Sequence, residues 1–252
     1  MMQTTTQATT QATTQATTQA ATRAAPQYIF EAGEKPSLPM IDVPLIKATD
    51  QSVKGYGALV GDPDECEIEI VRWPAQGWRP IDAGSGDEGG IAEGVFCTQW
   101  DGDVLMARND AVDGEYVLGW SCDPQQAARA SAGARAGKKP SARAHVVLWH
   151  FNYHPDGGQL FFPLDKQPFL LPVALPGDDI KPHQVVAFWC DGSQGLYIHP
   201  GIWHDGVFPV GDRQRFLDRQ GKVHARVSCD FGAEFGVYLK VPLMLPDSIP
   251  GA

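Results

Sequence analysis

The sequence predicts an all-β chain, a sandwich or barrel of short strands, and three observations carry that expectation. Between residues 145 and 245, apolar runs return at roughly ten-residue intervals, separated by Pro, Gly and Asp turns. That cadence marks a sandwich or barrel, not β-α-β units. The 27 glycines and 20 prolines suit a chain with many turns. Helical composition is confined to Gln125–Ala136, which is Ala- and Arg-rich, has no apolar stripe and ends in Gly137-Lys138-Lys139-Pro140. It reads as a mobile surface insertion.

The elements follow in chain order. Residues 1–26 repeat Thr-Thr-Gln-Ala and contain no large apolar residue, so they read as a disordered tail. Residues 27–252 read as one β domain, with 61–144 as an inserted region. Ile41–Ile46 is a strand, followed by the turn-and-strand unit Lys54–Val60. Glu67–Val71 alternates polar and apolar with the period of a half-buried strand. Trp73–Pro80 is an aromatic loop, and Gly84–Gly90 is too glycine-rich for a strand interior. Asp87, Glu88 and Glu93 nearby read as solvated acids. Gly94–Trp100 and Val104–Arg108 form a hairpin across Asp101-Gly102-Asp103, and Glu115–Trp120 adds a strand. The densest block then offers strands at His145–Phe151, Leu160–Phe162, Phe169–Leu175, Val185–Cys190, Gly195–Ile198, Val223–Cys229 and Gly236–Val241.

Composition excludes several function classes. The net charge is −10 and the pI about 5.0, which argues against nucleic-acid or anionic-membrane binding. A small anionic substrate remains compatible, because one or two buried cations decide that locally. Arg226 and Lys240, each within an apolar strand, are the best cationic candidates to hold its carboxylate, though for either one alone an outward-facing, solvated position is the favoured reading. Five cysteines at long spacings, without C-x-x-C, read as free thiols of a reducing compartment. No run approaches the ~18–20 apolar residues of a membrane span, and no secretory leader is evident, so a cytoplasmic protein is expected. Glycine-rich phosphate loops are absent, so neither a nucleotide nor an organic cofactor is expected.

The chain is organised around Gly195-Leu196-Tyr197-Ile198-His199-Pro200-Gly201-Ile202-Trp203-His204. Pro200 presets φ for a tight turn and Gly201 tolerates positive φ. His199 and His204 flank the turn, so both imidazoles can face one concave site. P-G-x-x-H is the core of the second cupin motif. Asn152-Tyr153-His154-Pro155-Asp156-Gly157-Gly158-Gln159 resembles the first, H-x-H-x(4)-E, with Asn152 in place of the first His and Gln159 in place of the Glu. A lone strand histidine is more commonly a packed residue than a ligand, but two half-motifs in order reverse that weighting. His150, Asn152 and His154 share one strand face. The pattern implies a cupin-type β-barrel, a double-stranded β-helix or jelly roll. His154, Gln159 and His204 would form a floor able to hold one divalent ion, Mn, Ni, Fe or Zn, more weakly than with a Glu. Without a metal, His199 or His204 could instead act as acid or base. Asp230, at the end of a late strand, reads equally as a proton-transfer group or a turn residue.

With Tyr56–Val60, Phe161-Phe162-Pro163-Leu164, the H-x-x-x-W-H element His199–His204 and Asp230, the chain resembles the ureidoglycolate lyase (ureidoglycolate hydrolase) family. The resemblance implies a homodimeric β-barrel enzyme that cleaves ureidoglycolate to glyoxylate and urea in allantoin breakdown. It implies His199, His204 and Asp230 as catalytic groups, with Arg226, Lys240, Tyr197 and Trp203 around the substrate. Asn152 departs from the family, which carries an acidic residue two places before the His. A metal-dependent dioxygenase or isomerase of a small hydroxy acid, or a non-catalytic small-acid-binding cupin, are the alternatives.

Overall fold

The computed structural model describes residues 35–72, 77–86, 90–111, 114–129, 143–221 and 225–245. The tail 1–26, Asp87, Glu88 and residues 130–136 of the helical-composition segment lie outside the described residues. In chain order the strands are β1 Met40–Asp42, β2 Leu45–Lys47, β3 Gly57–Val60, β4 Ile91–Asp101, β5 Val104–Asn109, β6 Gly114–Trp120, β7 His145–Leu148, β8 His150–Tyr153 and β9 Gln159–Pro163. They continue as β10 Phe169–Ala174, β11 Val186–Cys190, β12 Gly195–Ile198, β13 Trp203–His204, β14 Phe208–Pro209, β15 Arg213–Gly221, β16 Val227–Asp230 and β17 Tyr238–Pro242. Among the described residues one short α-helix, α1 Phe231–Phe235, precedes β17.

The fold is all-β, and the described strands form two sheets. The larger runs β1-β17-β7-β6-β5-β4-β15-β9-β12-β3 and the smaller β16-β8-β13-β10-β11-β2, with β14 beside β10. This layering is compatible with a jelly roll, although the described strands do not join into one continuous barrel. The sheets meet through aromatic side chains: Phe169 of the smaller packs edge-on against Phe216 of the larger, centroids 5.1 Å apart. The strands at 91–120, inside the region expected as an insertion, occupy the middle of the larger sheet. The Asp101-Gly102-Asp103 turn joins β4 to β5 as expected, with Gly102 at φ 66°.

Three expectations are corrected. Glu67–Val71 is not a strand and contributes only an isolated bridge, Ile70 to Gly157. Its backbone groups are committed elsewhere: Val71 N–H donates to Asp156 O, Gly158 N–H to Glu69 O, and Glu69 N–H to the Tyr197 hydroxyl. Ile41–Ile46 splits at Val43-Pro44 into β1, paired with β17, and β2, paired with β11. A helix forms at Phe231–Phe235, where Asp230 caps it by accepting from Ala233 N–H at 2.9 Å and Gly236 ends it at φ 65°. Gln125–Arg129, by contrast, begins as a turn on Asp123 O and carries no helix. All five cysteines are free thiols. Among the described residues no helix is long and apolar enough to cross a membrane.

Phe216 is fully buried between the sheets. Phe216→Ala should therefore cost about 3–5 kcal/mol, read as a lowered urea midpoint at unchanged slope.

Candidate functional site

The inner face of the smaller sheet is polar where β16, β8 and β13 run side by side. Asn152 stands opposite Ser228 on one neighbour and His204 on the other, so the three side chains share a face. His204 points across to the larger sheet and reaches Gln159 on β9. On that sheet Gln159 stands opposite Gln220 of β15, and Asp218 lies two residues along the same face.

His154 and His204 are both buried, with ring centroids 5.1 Å apart. His154 Nδ1 lies 3.0 Å from Ala225 O and His204 Nδ1 lies 2.8 Å from Ile202 O. A carbonyl only accepts, so each Nδ1 carries the proton and each Nε2 the lone pair. His204 Nε2 then faces Gln159 Oε1 at 2.9 Å. The Gln159 amide is oriented by its other end, where Nε2 donates to Asp218 Oδ1 at 2.7 Å. Two acceptors therefore meet at 2.9 Å. The other imidazole tautomer only moves the conflict to Ile202 O. A cation between them, either a second proton on the ring or a metal ion, would satisfy the junction.

A second proton is disfavoured. Burial, then the neighbouring His154, push His204 down to about 3, with Ile202 O opposing and His150 adding to the effect. The donor set suits a divalent ion: two imidazole nitrogens, each oriented by a backbone carbonyl, and a carboxamide oxygen. The 2.9 Å separation is close to the ~3 Å expected of adjacent ligands on a metal with bonds of about 2.1 Å. No group of three or more His, Cys, Asp or Glu able to hold a metal occurs among the described residues, so the set depends on the Gln159 oxygen.

A second pair lies on the same inner side. His150 Nδ1 is 3.8 Å from Asp205 Oδ1. Burial raises Asp205, opposed by the neighbouring His150 imidazole. Arg226 is anchored through Nε to Asp82 Oδ2 at 2.6 Å, and Ser228 Oγ donates to the same oxygen. Tyr116, opposite Ala107 on the inner face, is raised by burial and by the charges of Asp205 and Asp218. Asn152 Oδ1 is buried without a hydrogen-bond partner among the described residues.

The residues expected from sequence separate into two groups. His154, Gln159 and His204 converge between the sheets, and Arg226 lies on the same inner face. His199 does not join them. Ile198 shares a face with Gln159, so Tyr197 and His199 turn outward. There Tyr197 Oη donates to Glu69 Oε2, and His199 Nδ1 meets the same oxygen, both at 2.7 Å. These bonds hold the Glu69 carboxyl below its ordinary value, that from His199 contributing most. The Pro200-Gly201 turn forms as expected, with Gly201 at φ 80°, but its two histidines end on opposite faces. Trp203, next to His204 and so on the other face, packs against Tyr153 and donates to Gly177 O. Asp230 is occupied by the helix cap and by Lys35 at 2.7 Å. Lys240 pairs with Asp42 at 2.7 Å on the far edge of the larger sheet. Sequence reasoning missed Asp205, Asp218, Gln220, Asn109 and Tyr116. For Asp218 and Gln220 a pattern was present: Gln214, Phe216, Asp218 and Gln220 alternate along β15, all buried.

A family model described as Ureidoglycolate lyase matches residues 115–231, from β6 to the start of α1. A ureidoglycolate lyase of Azotobacter vinelandii is 42% identical over 94 residues, 35% of this chain and 55% of the relative. One of Stutzerimonas stutzeri is 46% identical over 78 residues, 30% of this chain and 46% of the relative. One of Pseudomonas paraeruginosa is 46% identical over 70 residues, 27% of this chain and 41% of the relative. The likeness to this family is shown for a stretch that contains His150, His154, Gln159, His204, Asp218 and Arg226. The chain spans about half the length of the curated relatives it matches, 55% of the first.

His204 carries a folded value of about 3 against about 6.5 unfolded. The unfolded chain then binds more protons across that window, so stability present above pH 6.5 is lost as pH falls toward 3. Urea denaturation at stepped pH should show a shallower acid loss for His204→Gln than for the parent protein.

Proposed function

We propose that the chain is a ureidoglycolate lyase, releasing glyoxylate and urea. The observation that carries the reading is the convergence of His154, Gln159 and His204 between the sheets, within the segment that matches the family. The relatives named above all carry that description, which favours it over the dioxygenase, isomerase and binding-protein alternatives.

Ureidoglycolate bears a hydroxyl, a carboxylate and a ureido nitrogen on one carbon. Cleavage removes the hydroxyl proton, forms the aldehyde carbonyl from that electron pair, breaks the carbon–nitrogen bond and returns a proton to the departing urea nitrogen. A divalent ion on His154, Gln159 and His204 would supply positive charge for the hydroxyl and carboxylate oxygens. Arg226, fixed by Asp82, is the cation on the inner face that grips the carboxylate. His150, oriented by Asp205, takes the hydroxyl proton and returns it to nitrogen. Asn152 Oδ1 accepts from a ureido N–H. In this reading His199, Tyr197, Trp203, Asp230 and Lys240 lie away from the site, on other faces or edges, and do not touch the reacting atoms. A homodimer in a reducing cytoplasm accords with the family resemblance and with five free thiols.

Urea and glyoxylate should appear from ureidoglycolate and fall sharply after chelation. His204→Ala should lower kcat/KM by at least about 100-fold, the scale of a lost metal-binding or acid–base group. Unchanged turnover in that variant would remove the site assignment. Asn152→Leu should raise KM with little change in kcat, since it removes a contact made equally in the ground and transition states.

A further inference from the structure

The carboxylate of Asp218 is fully buried and takes three side-chain donors. Gln159 Nε2 donates to Oδ1 at 2.7 Å, and Asn109 Nδ2 and Gln220 Nε2 donate to Oδ2 at 2.7 and 2.9 Å. Those donors come from β9, β5 and β15, so the carboxylate is held from three strands. Asn109 is itself fixed, because its Oδ1 accepts from Ala111 N–H at 2.9 Å. With both oxygens committed, a flipped Gln159 amide would set its oxygen against a carboxylate oxygen. Only one orientation is satisfied, and it directs Gln159 Oε1 at His204.

We propose that Asp218 is a positioning residue. It fixes the Gln159 carboxamide with its oxygen toward His204, and it supplies from one residue further back the negative charge that a carboxylate ligand would bring directly. The proposal rests on the divalent-ion reading of the site given above. The first cupin motif places a Glu where this chain has Gln159. Here the neutral amide touches the cation site while its N–H groups couple that oxygen to a buried anion. The charge is retained and relocated, and the amide adds a fixed orientation.

The hydrogen-bond accounting predicts a reciprocal pair of substitutions. Asp218→Asn alone releases the Gln159 amide to flip: the new N–H₂ group donates to the turned Gln159 Oε1 while its oxygen still accepts from Asn109 and Gln220, so Gln159 Nε2 and not Oε1 faces His204. Gln159→Glu alone sets two carboxylates 2.7 Å apart. Combined, the two changes satisfy every partner. The new amide donates to the new carboxylate, its oxygen still accepts from Asn109 and Gln220, and the other carboxylate oxygen faces His204.

The experiment is a calorimetric titration of chelated full-length protein with Mn2+ and separately with Ni2+, in the parent, both single variants and the double variant. Circular dichroism checks folding, and ureidoglycolate turnover runs in parallel. Each single variant should bind roughly 10–100-fold more weakly, and the double variant should recover to within about threefold of the parent. Should Asp218→Asn fail to fold, recovery of Gln159→Glu by the second change carries the same test. Parent-like binding by Asp218→Asn, or a double variant weaker than Gln159→Glu, overturns the proposal. A parent protein that binds neither ion at millimolar concentration also overturns it, and turnover alone then decides the lyase reading. No turnover beside an intact binding cycle removes the lyase reading and leaves the role of Asp218 standing.

Discussion

The contact between His204 Nε2 and Gln159 Oε1 is the constraint on which the site depends. Two acceptors held 2.9 Å apart inside a protein are unfavourable unless positive charge lies between them. The fold sustains the contact by fixing both partners from behind. Ile202 O sets the imidazole, and Asp218 sets the amide. The aromatic layer around Phe169 and Phe216 holds the two sheets at the spacing that keeps His204, from one sheet, in reach of Gln159 on the other.

Around that contact the interior is graded. Toward β10 and β11 it is apolar, with Leu170, Leu171 and Phe188 buried. Toward β8, β15 and β16 it carries His150, Asn152, Asp205, Asp218, Gln220 and Arg226. Such concentrated buried polarity is costly unless each group is paired or meets a ligand. Most are paired within the protein. Among the described residues, pairing is incomplete at the junction at His204 and at the Asn152 oxygen, which sit on neighbouring strands.

The strands were legible where alternation or a continuous apolar run coincided with burial, as in β4 and β5 and in β10 and β12 respectively. Two segments show why that rule is one-sided. Glu67–Val71 alternates correctly but spends its backbone groups on loops and on the Tyr197 hydroxyl, so no ladder forms. β15 is a nine-residue strand absent from the apolar runs of the sequence, because three of its four alternating buried positions are Gln214, Asp218 and Gln220. Periodicity in hydropathy cannot find a strand whose inner face is polar, and that strand supplies the anion behind the site. The His154, Gln159 and His204 set was legible because the two half-motifs fix their spacing. The outward turn of His199 was not, since it follows from the register of β12 against β9. Asp230 and Lys240 drew attention as charges near apolar runs, and their partners, Lys35 and Asp42, lie far away in sequence.

The split at Val43-Pro44 puts eight consecutive residues to use in both layers. Met40–Asp42 runs parallel to β17 in the larger sheet, and Leu45–Lys47 runs parallel to β11 in the smaller. This short piece of chain is a tether across the sandwich. Prying the layers apart would load both pairings lengthwise, in shear, where backbone hydrogen bonds give way together and not one at a time. The gap between the layers therefore resists opening as a hinged shell would, and a guest molecule must reach the polar interior through the loops at its rim.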